Sequence, residues 1–472
     1  MNLDVLSLLA HGLARLETAI LVYFLLVNSF YGLLLLVAAR QLWVYAMRTR
    51  SEARWRVLGS EVTPRITILA PAFDEANTIE RSLRTLLTLY YPSLEVLVVN
   101  DGSHDGTMAV LLARFDLEQF QPLYEPRVTH QPLRAIYRSR SYPNLVVIDK
   151  ENGGKADALN AGLNAATGEL VCAMDADTVV EPDAMQRLVR PFLTSDDLVA
   201  AGGTIMVLNG TTMEGGRVVA RASRRLLPGI QTAEYLRAFL FGRLGFNQLG
   251  GNLIVSGAFG LFRRESMLAI GGYQHDTVGE DMELVLRLRR TGVERGGPSR
   301  VEFVPDPVAW TEVPASLRVL GRQRDRWHRG LSDVLWRHRR LFFNPRYGLM
   351  GMLVFPYFVL VELLAPLVEM LGLLGLAVGL AIGAVDGPFA ALFFLVAYGY
   401  CLILTVLSLL LEGSAFGRYV RLTDRLLLLG WALVENLGYR QLTVIWRLVG
   451  LVKYLRGRRD WGRMERIGPP GG

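Results

Sequence analysis

The sequence predicts a soluble α/β domain flanked by transmembrane and interfacial helices, and three observations lead to this fold class. The 472 residues contain 51% hydrophobic but only 20% charged residues, and the mean hydropathy is positive at +0.28. This composition is too apolar for an ordinary soluble protein, so part of the chain must lie in lipid. Apolar stretches of helical length lie near both ends. Between them, short β-branched runs alternate with helical periods, as in α/β proteins.

Residues 1–59 are predicted to form a transmembrane helix followed by a basic linker. Residues 18–37 are an uncharged run that, at about 1.5 Å per residue, spans the hydrocarbon core of a bilayer. The start, MNLD, lacks the basic segment of a cleavable signal peptide. Five arginines follow the apolar run: Arg40, Arg48, Arg50, Arg54 and Arg56. By the positive-inside rule, they place the next domain in the cytoplasm.

Residues 60–313 are predicted to form the α/β domain, because β-branched runs that end at Gly, Asn or Asp alternate with amphipathic periods. Strands are expected at 66–70, 95–100, 145–148, 170–174 and 199–206. Helices are expected at 78–89, 107–115, 155–166 and 183–193. Residues 117–144 are basic, contain proline and break this rhythm. We therefore expect an insertion there.

The C-terminal third is predicted to return to the membrane. Residues 314–348 mix basic and aromatic side chains, which suits amphipathic helices at the headgroup level. Within 349–456, we expect an interfacial part, a span at 363–382 and another at 388–411. The stretch 426–455 is interrupted by Glu435, Arg440 and Arg447, and either a hairpin or an interfacial helix fits it. Residues 457–472 are predicted to be a basic cytoplasmic tail.

Charge and cysteine content exclude two further classes of protein. The formal net charge is +7, but the arginine clusters flank apolar runs and lack the interleaved aromatic residues of a nucleic-acid-binding surface. We therefore expect no nucleic-acid partner. The two cysteines, Cys172 and Cys401, fall in a predicted strand and a predicted membrane helix, so a disulfide framework is not expected.

The first candidate motif is APAFDEA, from Ala70 to Ala76, with VVNDGSHDGT following the next predicted strand. Ligands of open α/β sheets bind at the carboxyl ends of strands. Asp101 is a short acceptor suited to a nucleotide base or ribose, and Gly102 permits a tight turn beside it. Glu75 either binds the nucleotide or caps the following helix. An ordinary Asn-Asp-Gly turn is the structural alternative for Asp101.

The second motif runs from NGGK to DAD. A Gly-Gly-Lys sequence at a helix start offers backbone amides and the Lys155 ammonium to a diphosphate. Asp175 and Asp177 follow a buried strand, and their spacing lets both carboxylates project to one side. Carboxylate oxygens suit Mg²⁺ or Mn²⁺, which usually bridge to substrate phosphates. A D-x-D sequence alone is a common acidic turn. The metal-site interpretation therefore depends on the position of this one after a buried strand and the GGK helix.

The third and fourth motifs supply a candidate base and a candidate sugar contact. Glu280 and Asp281 begin a predicted amphipathic helix, where acids also interact favourably with the helix dipole; the functional interpretation makes Asp281 a general base. In QRDRW, Arg326 suits a diphosphate and Trp327 suits a sugar face. The alternative there is an interfacial helix with an aromatic anchor.

In their order and spacing, the four motifs resemble the processive members of glycosyltransferase family 2, such as poly-N-acetylglucosamine, cellulose, hyaluronan and chitin-oligosaccharide synthases. The likeness covers residues 66–330 and the flanking membrane helices. It implies a GT-A (Rossmann-like) fold with a UDP-sugar donor. Ala70, Glu75, Lys155 and Gln323 would join the donor site, Asp101 would contact uridine, and Asp175 with Asp177 would hold nucleotide and metal. Gln323, Arg326 and Trp327 match the Q-x-x-R-W signature of polymerising members.

The resemblance also implies the catalytic pair and the reaction. Asp281 matches the family's catalytic base and Glu280 stands beside it, although the usual Thr-Glu-Asp is Gly279-Glu280-Asp281 here. The implied reaction is inverting transfer to a growing β-linked polysaccharide by a multi-pass protein of the inner or plasma membrane, with the catalytic domain in the cytoplasm.

Three other interpretations compete with a polysaccharide synthase. A single-transfer enzyme with a membrane-lipid acceptor is the main alternative, because three or four spans make a self-contained channel doubtful; a polymerising enzyme would then need an accessory subunit. An inactive scaffold would be expected to have lost Asp175, Asp177 or Asp281, and none is lost. The large soluble domain argues against a transporter.

Overall fold

The structure is a computed structural model that describes residues 3–50, 63–122, 124–175, 178–214 and 217–458. Three sequence predictions therefore lie outside the described residues: Asp177, the linker arginines Arg54 and Arg56, and the tail from residue 459.

The described chain forms two compact units. The first, here called the sheet unit, comprises Tyr45–Ala220 and Gly250–Val313. The second, the helical unit, comprises the residues up to Val44, Arg221–Leu249 and those from Pro314 onward. The predicted run 60–313 is thus interrupted, because residues 221–249 group with the helical unit. The other predicted domain boundaries stay predictions.

Twelve strands are present in the described residues, and ten of them form one sheet in the order β3-β4-β5-β2-β1-β6-β11-β8-β12-β7. The strands are β1 Ile66–Ala72, β2 Leu94–Asp101, β3 Leu117–Gln119, β4 Leu133–Ser139, β5 Leu145–Lys150, β6 Leu170–Ala173, β7 Val179–Val180, β8 Leu198–Val207, β9 Thr212–Glu214, β10 Arg217–Val219, β11 Gly260–Arg263 and β12 Arg300–Thr311. All five predicted strands are confirmed within two residues at each end.

The centre of the sheet is parallel, since β1 pairs in parallel with both β2 and β6, and β2 pairs in parallel with β5. Every residue of β2 and β6 is buried, which explains why both strands are rich in apolar residues, because helices cover both faces of such sheets. The predicted insertion at 117–144 instead extends the sheet: β4 pairs antiparallel with β5, and β3 with β4. β4 contains two exposed arginines, Arg134 and Arg138, which made this strand look like part of a polar segment in the sequence.

The α-helices, in chain order, are α1 Leu3–Arg50, α2 Ile79–Leu87, α3 Thr107–Arg114, α4 Lys155–Ala165, α5 Ala184–Leu188, α6 Arg190–Thr194, α7 Leu226–Arg237, α8 Leu244–Phe246, α9 Arg264–Ala269, α10 Glu280–Arg295, α11 Leu317–Arg337, α12 Phe355–Tyr357, α13 Ala365–Ala381, α14 Gly387–Phe394, α15 Tyr400–Ala415, α16 Leu422–Val434 and α17 Arg440–Leu455. The helix predicted at 183–193 is divided into α5 and α6. Pro191 stands in the first turn of α6, where its missing amide N–H is not needed.

Among the described residues, two helices are long and apolar enough to cross a membrane, Ala10–Met47 and Gly387–Ala415. A third span results if Met350–Leu363 and Ala365–Ala381, which meet at a 41° bend, are taken as one. Pro366 lies in the first turn of α13, and proline cannot donate the backbone hydrogen bond that would continue a straight helix. The stretch 426–455 forms α16 and α17, which are separated by non-helical Leu437 and Gly438.

Candidate active site

The carboxyl ends of four parallel strands, β5, β2, β1 and β6, lie along one edge of the sheet unit. Asp101 is the last residue of β2, and Asp175 comes two residues after β6. Because β2 and β6 flank β1, the structure brings both aspartates to the same edge, on either side of β1. This is where open α/β sheets bind ligands.

Asp101 belongs to a buried polar cluster. Its carboxylate accepts a hydrogen bond from the Lys150 ammonium at 2.5 Å, and that ammonium also contacts Asp157 at 2.5 Å. The Lys150 side chain is fully buried and both aspartates are almost so. One cation thus compensates two carboxylates that would otherwise be buried uncompensated.

The GGK loop is used differently from the sequence expectation. The amides of Gly153 and Gly154 donate to the two Asp101 oxygens at 3.0 and 2.8 Å, so these amides hold Asp101 rather than lying open to a diphosphate. Two glycines are required here. Gly102 has a φ of +67°, and a Cβ at Gly153 would lie 2.4 Å from the Asp157 carboxyl carbon. The loop is therefore a rigid support for the Asp101 carboxylate.

We expect Lys150→Met to destabilise the sheet unit strongly. Methionine fills a similar volume but leaves Asp101 and Asp157 buried without a cation, and breaking a buried pair in this way costs about 3–5 kcal/mol. The measurement is a chemical denaturation curve of the purified protein. Arg140→Met is the matched control, because Arg140 pairs with Glu118 while both side chains are more than half exposed; exposed pairs contribute about 0–1 kcal/mol. Equal curves for the two variants would contradict the expectation.

A second cluster surrounds Lys155, the first residue of α4. The ammonium contacts Asp175 at 2.5 Å and Glu280 at 4.0 Å. Asp281 is close as well: a Cβ built on Gly257 would lie 3.5 Å from the Lys155 ammonium and 3.7 Å from an Asp281 carboxylate oxygen. Acids from two other parts of the sequence therefore surround Lys155. Gly257 lies beside Lys155 and Asp281 and has no side chain between them.

Burial alone would lower the pKa of Lys155, but the carboxylates of Asp175, Glu280 and Asp281 outweigh it and raise that pKa above the ordinary value of a lysine. Lys155 is thus a fixed cation. Tyr273 is buried beside the same acids, and its pKa is held well above the usual range by burial and by Glu280 and Asp281. Its hydroxyl stays neutral. Three carboxylates around one ammonium leave the cluster with net negative charge.

Glu280 and Asp281 begin α10, as predicted. Asp281 accepts a hydrogen bond from the Met282 amide at 2.8 Å, which is compatible with both a helix-terminus role and a catalytic one. Glu283 pairs with Arg287 at 2.9 Å, and Arg287 also donates to the carbonyls of Ile270 and Gly272. This network fixes the start of α10 relative to the loop that leads into it, and so fixes where the acid pair points.

Two other residues predicted for the donor site, Ala70 and Glu75, lie in β1 and in the loop that follows it. Ala70 is buried within β1. Glu75 is also buried and accepts a hydrogen bond from the hydroxyl of Thr78, the N-cap residue of α2. This bond joins two side chains and does not cap a helix amide, so both roles of Glu75 stay predictions. Sequence reasoning missed Phe73, which is 44% exposed and packs edge-on against His104. Its place between β1 and α2 in PAFDE was the available signal.

Of the two predicted metal ligands, the structure describes only Asp175, because Asp177 lies outside the described residues. Within the described part of the chain, no group of three or more His, Cys, Asp or Glu side chains could hold a metal ion. The Asp175 carboxylate is partly exposed and faces the cluster. Its hard oxygens fit a divalent cation whose other ligands come from substrate phosphates and water.

The QRDRW motif lies in α11 of the helical unit. Two of its residues anchor the helix: Arg324 pairs with Glu234 at 2.7 Å and Asp325 with Lys453 at 2.6 Å, and both are buried. Gln323 and Arg326 are half-buried. Trp327 is 44% exposed, and the Arg324 guanidinium lies 4.7 Å from its ring centre. The helix is thus held by its charged side, unlike a simple surface helix with one apolar face.

Comparison with known proteins gives the following likenesses. Residues 64–330 match the family model described as "Glycosyltransferase like family 2". The poly-beta-1,6-N-acetyl-D-glucosamine synthase of Staphylococcus aureus (strain MSSA476) is 30% identical over 275 residues, which are 58% of this chain and 56% of the relative. The synthase of the same name from Staphylococcus epidermidis is 29% identical over 275 residues. The chain therefore spans just over half the length of these relatives.

A solved structure has a similar fold. The mannosyltransferase PcManGT from Pyrobaculum calidifontis, in complex with GDP-Man and Mn²⁺, superposes with a TM-score of 0.54 and 20% identity, covering 94% of this chain and 99% of that chain. At this identity the likeness concerns the fold alone. It confirms the GT-A fold class that the sequence predicts.

Proposed function

The chain belongs to glycosyltransferase family 2, since the family model covers more than half of it, and from this premise we propose that it transfers N-acetylglucosamine from a UDP-sugar to a growing β-linked polysaccharide. The convergence of Lys155, Asp175, Glu280 and Asp281 at one edge of the sheet is the observation that carries this proposal. The sugar is proposed from the printed product of the staphylococcal relatives.

The proposed reaction is a single displacement. Asp281 takes the proton of an acceptor hydroxyl, whose oxygen forms a bond to the anomeric carbon while the bond from that carbon to the UDP oxygen breaks. In this proposal Lys155 stabilises the negative charge of the departing diphosphate. Since attack comes from the face opposite the leaving group, the configuration inverts, and an α-linked donor yields a β-linked product.

The donor site is proposed to lie along the same edge. We propose that Asp101, fixed by Lys150 and the GGK loop, contacts the uridine, and that Ala70 and Glu75 also belong to the donor site. Mg²⁺ or Mn²⁺ would be held by Asp175 and Asp177 together with the donor phosphates, and it would offset diphosphate charge during departure. Net negative charge in the Lys155 cluster favours such a cation.

A polymer product is favoured over a single transfer to lipid by the QRDRW motif and by the relatives' printed product. We propose that Gln323, Arg326 and Trp327 serve the donor phosphate and the acceptor sugar, while Arg324 and Asp325 hold their helix. The catalytic domain is proposed to face the cytoplasm of a multi-pass protein of the inner or plasma membrane. The described residues contain two or three apolar helices long enough to span the membrane, so we propose that export of a polymer requires an accessory subunit.

The test is product identification. We expect protein purified into lipid to turn over UDP-N-acetylglucosamine, among a panel of UDP-sugars, only when Mg²⁺ or Mn²⁺ is present, and to stop when the metal is chelated. The product should be a ladder of high-mass chains that a β-1,6-N-acetylglucosaminidase degrades. A lipid carrying one sugar would establish the alternative instead, and turnover of a different UDP-sugar would overturn the sugar assignment.

A further inference from the structure

A groove on the helical unit has no part in the proposed reaction. It has a volume of about 400 Å³ and is lined by one residue of α13, Met370, and by α17 from Ile445 onward with the residues that follow. The lining residues from this second segment are Ile445, Leu448, Val449, Val452, Lys453, Arg456 and Arg458. The volume is in the range of small-molecule sites in proteins.

The groove is apolar over most of its length. Ile445, Val449 and Val452 recur at intervals of four and three residues, so they lie on one face of α17. Each remains 41–44% exposed, although together they form an unbroken apolar stripe. The stripe extends over about 10 Å of helix at about 1.5 Å per residue, which suits a hydrocarbon chain lying along it.

One end of the groove is cationic. Lys453, Arg456 and Arg458 follow the apolar stripe directly. Lys453 is paired with Asp325 at 2.6 Å, while Arg456 and Arg458 are exposed and enter no ion pair with any described residue. Three cations against one carboxylate leave net positive charge at the mouth. A ligand that fits both ends carries an apolar chain and an anionic head.

We propose that this groove binds an anionic phospholipid, with an acyl chain along the α13–α17 stripe and the phosphate between Arg456 and Arg458. Basic pockets beside membrane helices on the cytoplasmic side bind lipid headgroups through this combination. Because Lys453 both lines the groove and holds Asp325, the bound lipid lies one ion pair from the helix that carries QRDRW.

The test compares lipids that differ only in headgroup charge. The full chain, purified in detergent, is titrated with phosphatidylglycerol or phosphatidylcholine of identical acyl chains, and bound lipid is counted by native mass spectrometry. We expect preferential retention of phosphatidylglycerol, reduced about 30-fold in Arg456→Gln/Arg458→Gln, since each basic residue near a lipid headgroup contributes roughly a factor of five. Arg340→Gln/Arg346→Gln is the control, as both arginines are exposed elsewhere in the helical unit.

A second variant separates the groove from general surface charge. Val452→Trp fills the apolar part while leaving every cation in place, and it should also lower phosphatidylglycerol retention with an unchanged melting temperature. Equal retention of the two lipids, or an equal loss in the Arg340/Arg346 control, would overturn the proposal. So would selective binding that appears only after residues 459–472 are deleted, because the groove would then belong to the chain's own tail.

Discussion

Asp281→Asn is expected to abolish sugar transfer while leaving UDP binding nearly intact. The amide keeps the shape of the carboxylate and can still accept the Met282 N–H bond seen at 2.8 Å, but it cannot take a proton from the acceptor. Removal of a general base lowers the rate by about 10²–10⁴. The measurement is release of UDP per enzyme in the presence of acceptor, beside the dissociation constant of UDP from calorimetry.

Glu280→Gln is the matched variant, because the two acids are adjacent at the start of α10 and both lie near Lys155. We expect a smaller rate loss for Glu280→Gln than for Asp281→Asn, since it alters the charge around Lys155 without removing the base. The reverse order would make Glu280 the base. Near wild-type rates for Asp281→Asn, with a lowered melting temperature, would mean that the acid only stabilises the helix terminus.

The central strands could be predicted because the signal for each strand lies in its own residues. β2 and β6 are buried at every position, so both sequences are mostly apolar up to the polar strand ends, with Glu95 in β2 as the exception. The GGK loop and the Glu280–Asp281 pair were likewise placed correctly at helix starts, since α4 begins at Lys155 and α10 at Glu280.

Strands that depend on distant partners were not predictable in the same way. β12 contains Pro305 and Pro307, and its register with β8 shifts between Phe303 and Val308; prolines in a run argue against a strand unless the partner tolerates a bulge. β11, four residues long, is held only by pairing with β6 and β8. The allocation of residues 221–249 to the helical unit is also a tertiary property with no local signature.

The polar residues of the candidate site show the same difference between local and long-range information. The residue types and the strand ends on which they lie were readable, but the partners were not. Lys150 is an ordinary strand-end lysine in the sequence, yet it is the cation between Asp101 and Asp157. Asp101 accepts hydrogen bonds from the Gly153 and Gly154 amides because β2 and β5 are neighbours in the sheet. The order of the strands could not be predicted from their spacing in the sequence.

Trp327→Ala is expected to shorten or abolish the polymer. Trp327 is exposed on one side, and its ring is held by the Arg324 guanidinium, which Glu234 and Tyr439 fix in turn. A rigid aromatic face suits stacking on a sugar ring, which would keep the acceptor bound between additions. Trp336→Ala is a close control, because Trp336 is 63% exposed on the same helix and has Arg339 4.9 Å from its ring centre. Product length is measured by gel or mass spectrometry.

Arg326→Ala tests the other half of the motif by its effect on the donor. Loss of a charge-assisted hydrogen bond to the diphosphate, about 1.5–3 kcal/mol, should lower kcat/KM for the UDP-sugar roughly 10-fold to 150-fold, with chain length less affected than in Trp327→Ala. Arg322→Ala removes an exposed arginine one turn earlier on α11 and should leave kcat/KM within twofold.

If Trp327→Ala and Trp336→Ala give chains of equal length and Arg326→Ala matches Arg322→Ala, QRDRW anchors the helix and nothing more. The acceptor would then be held by another surface, and transfer of a single sugar to a membrane lipid would become the better-supported function.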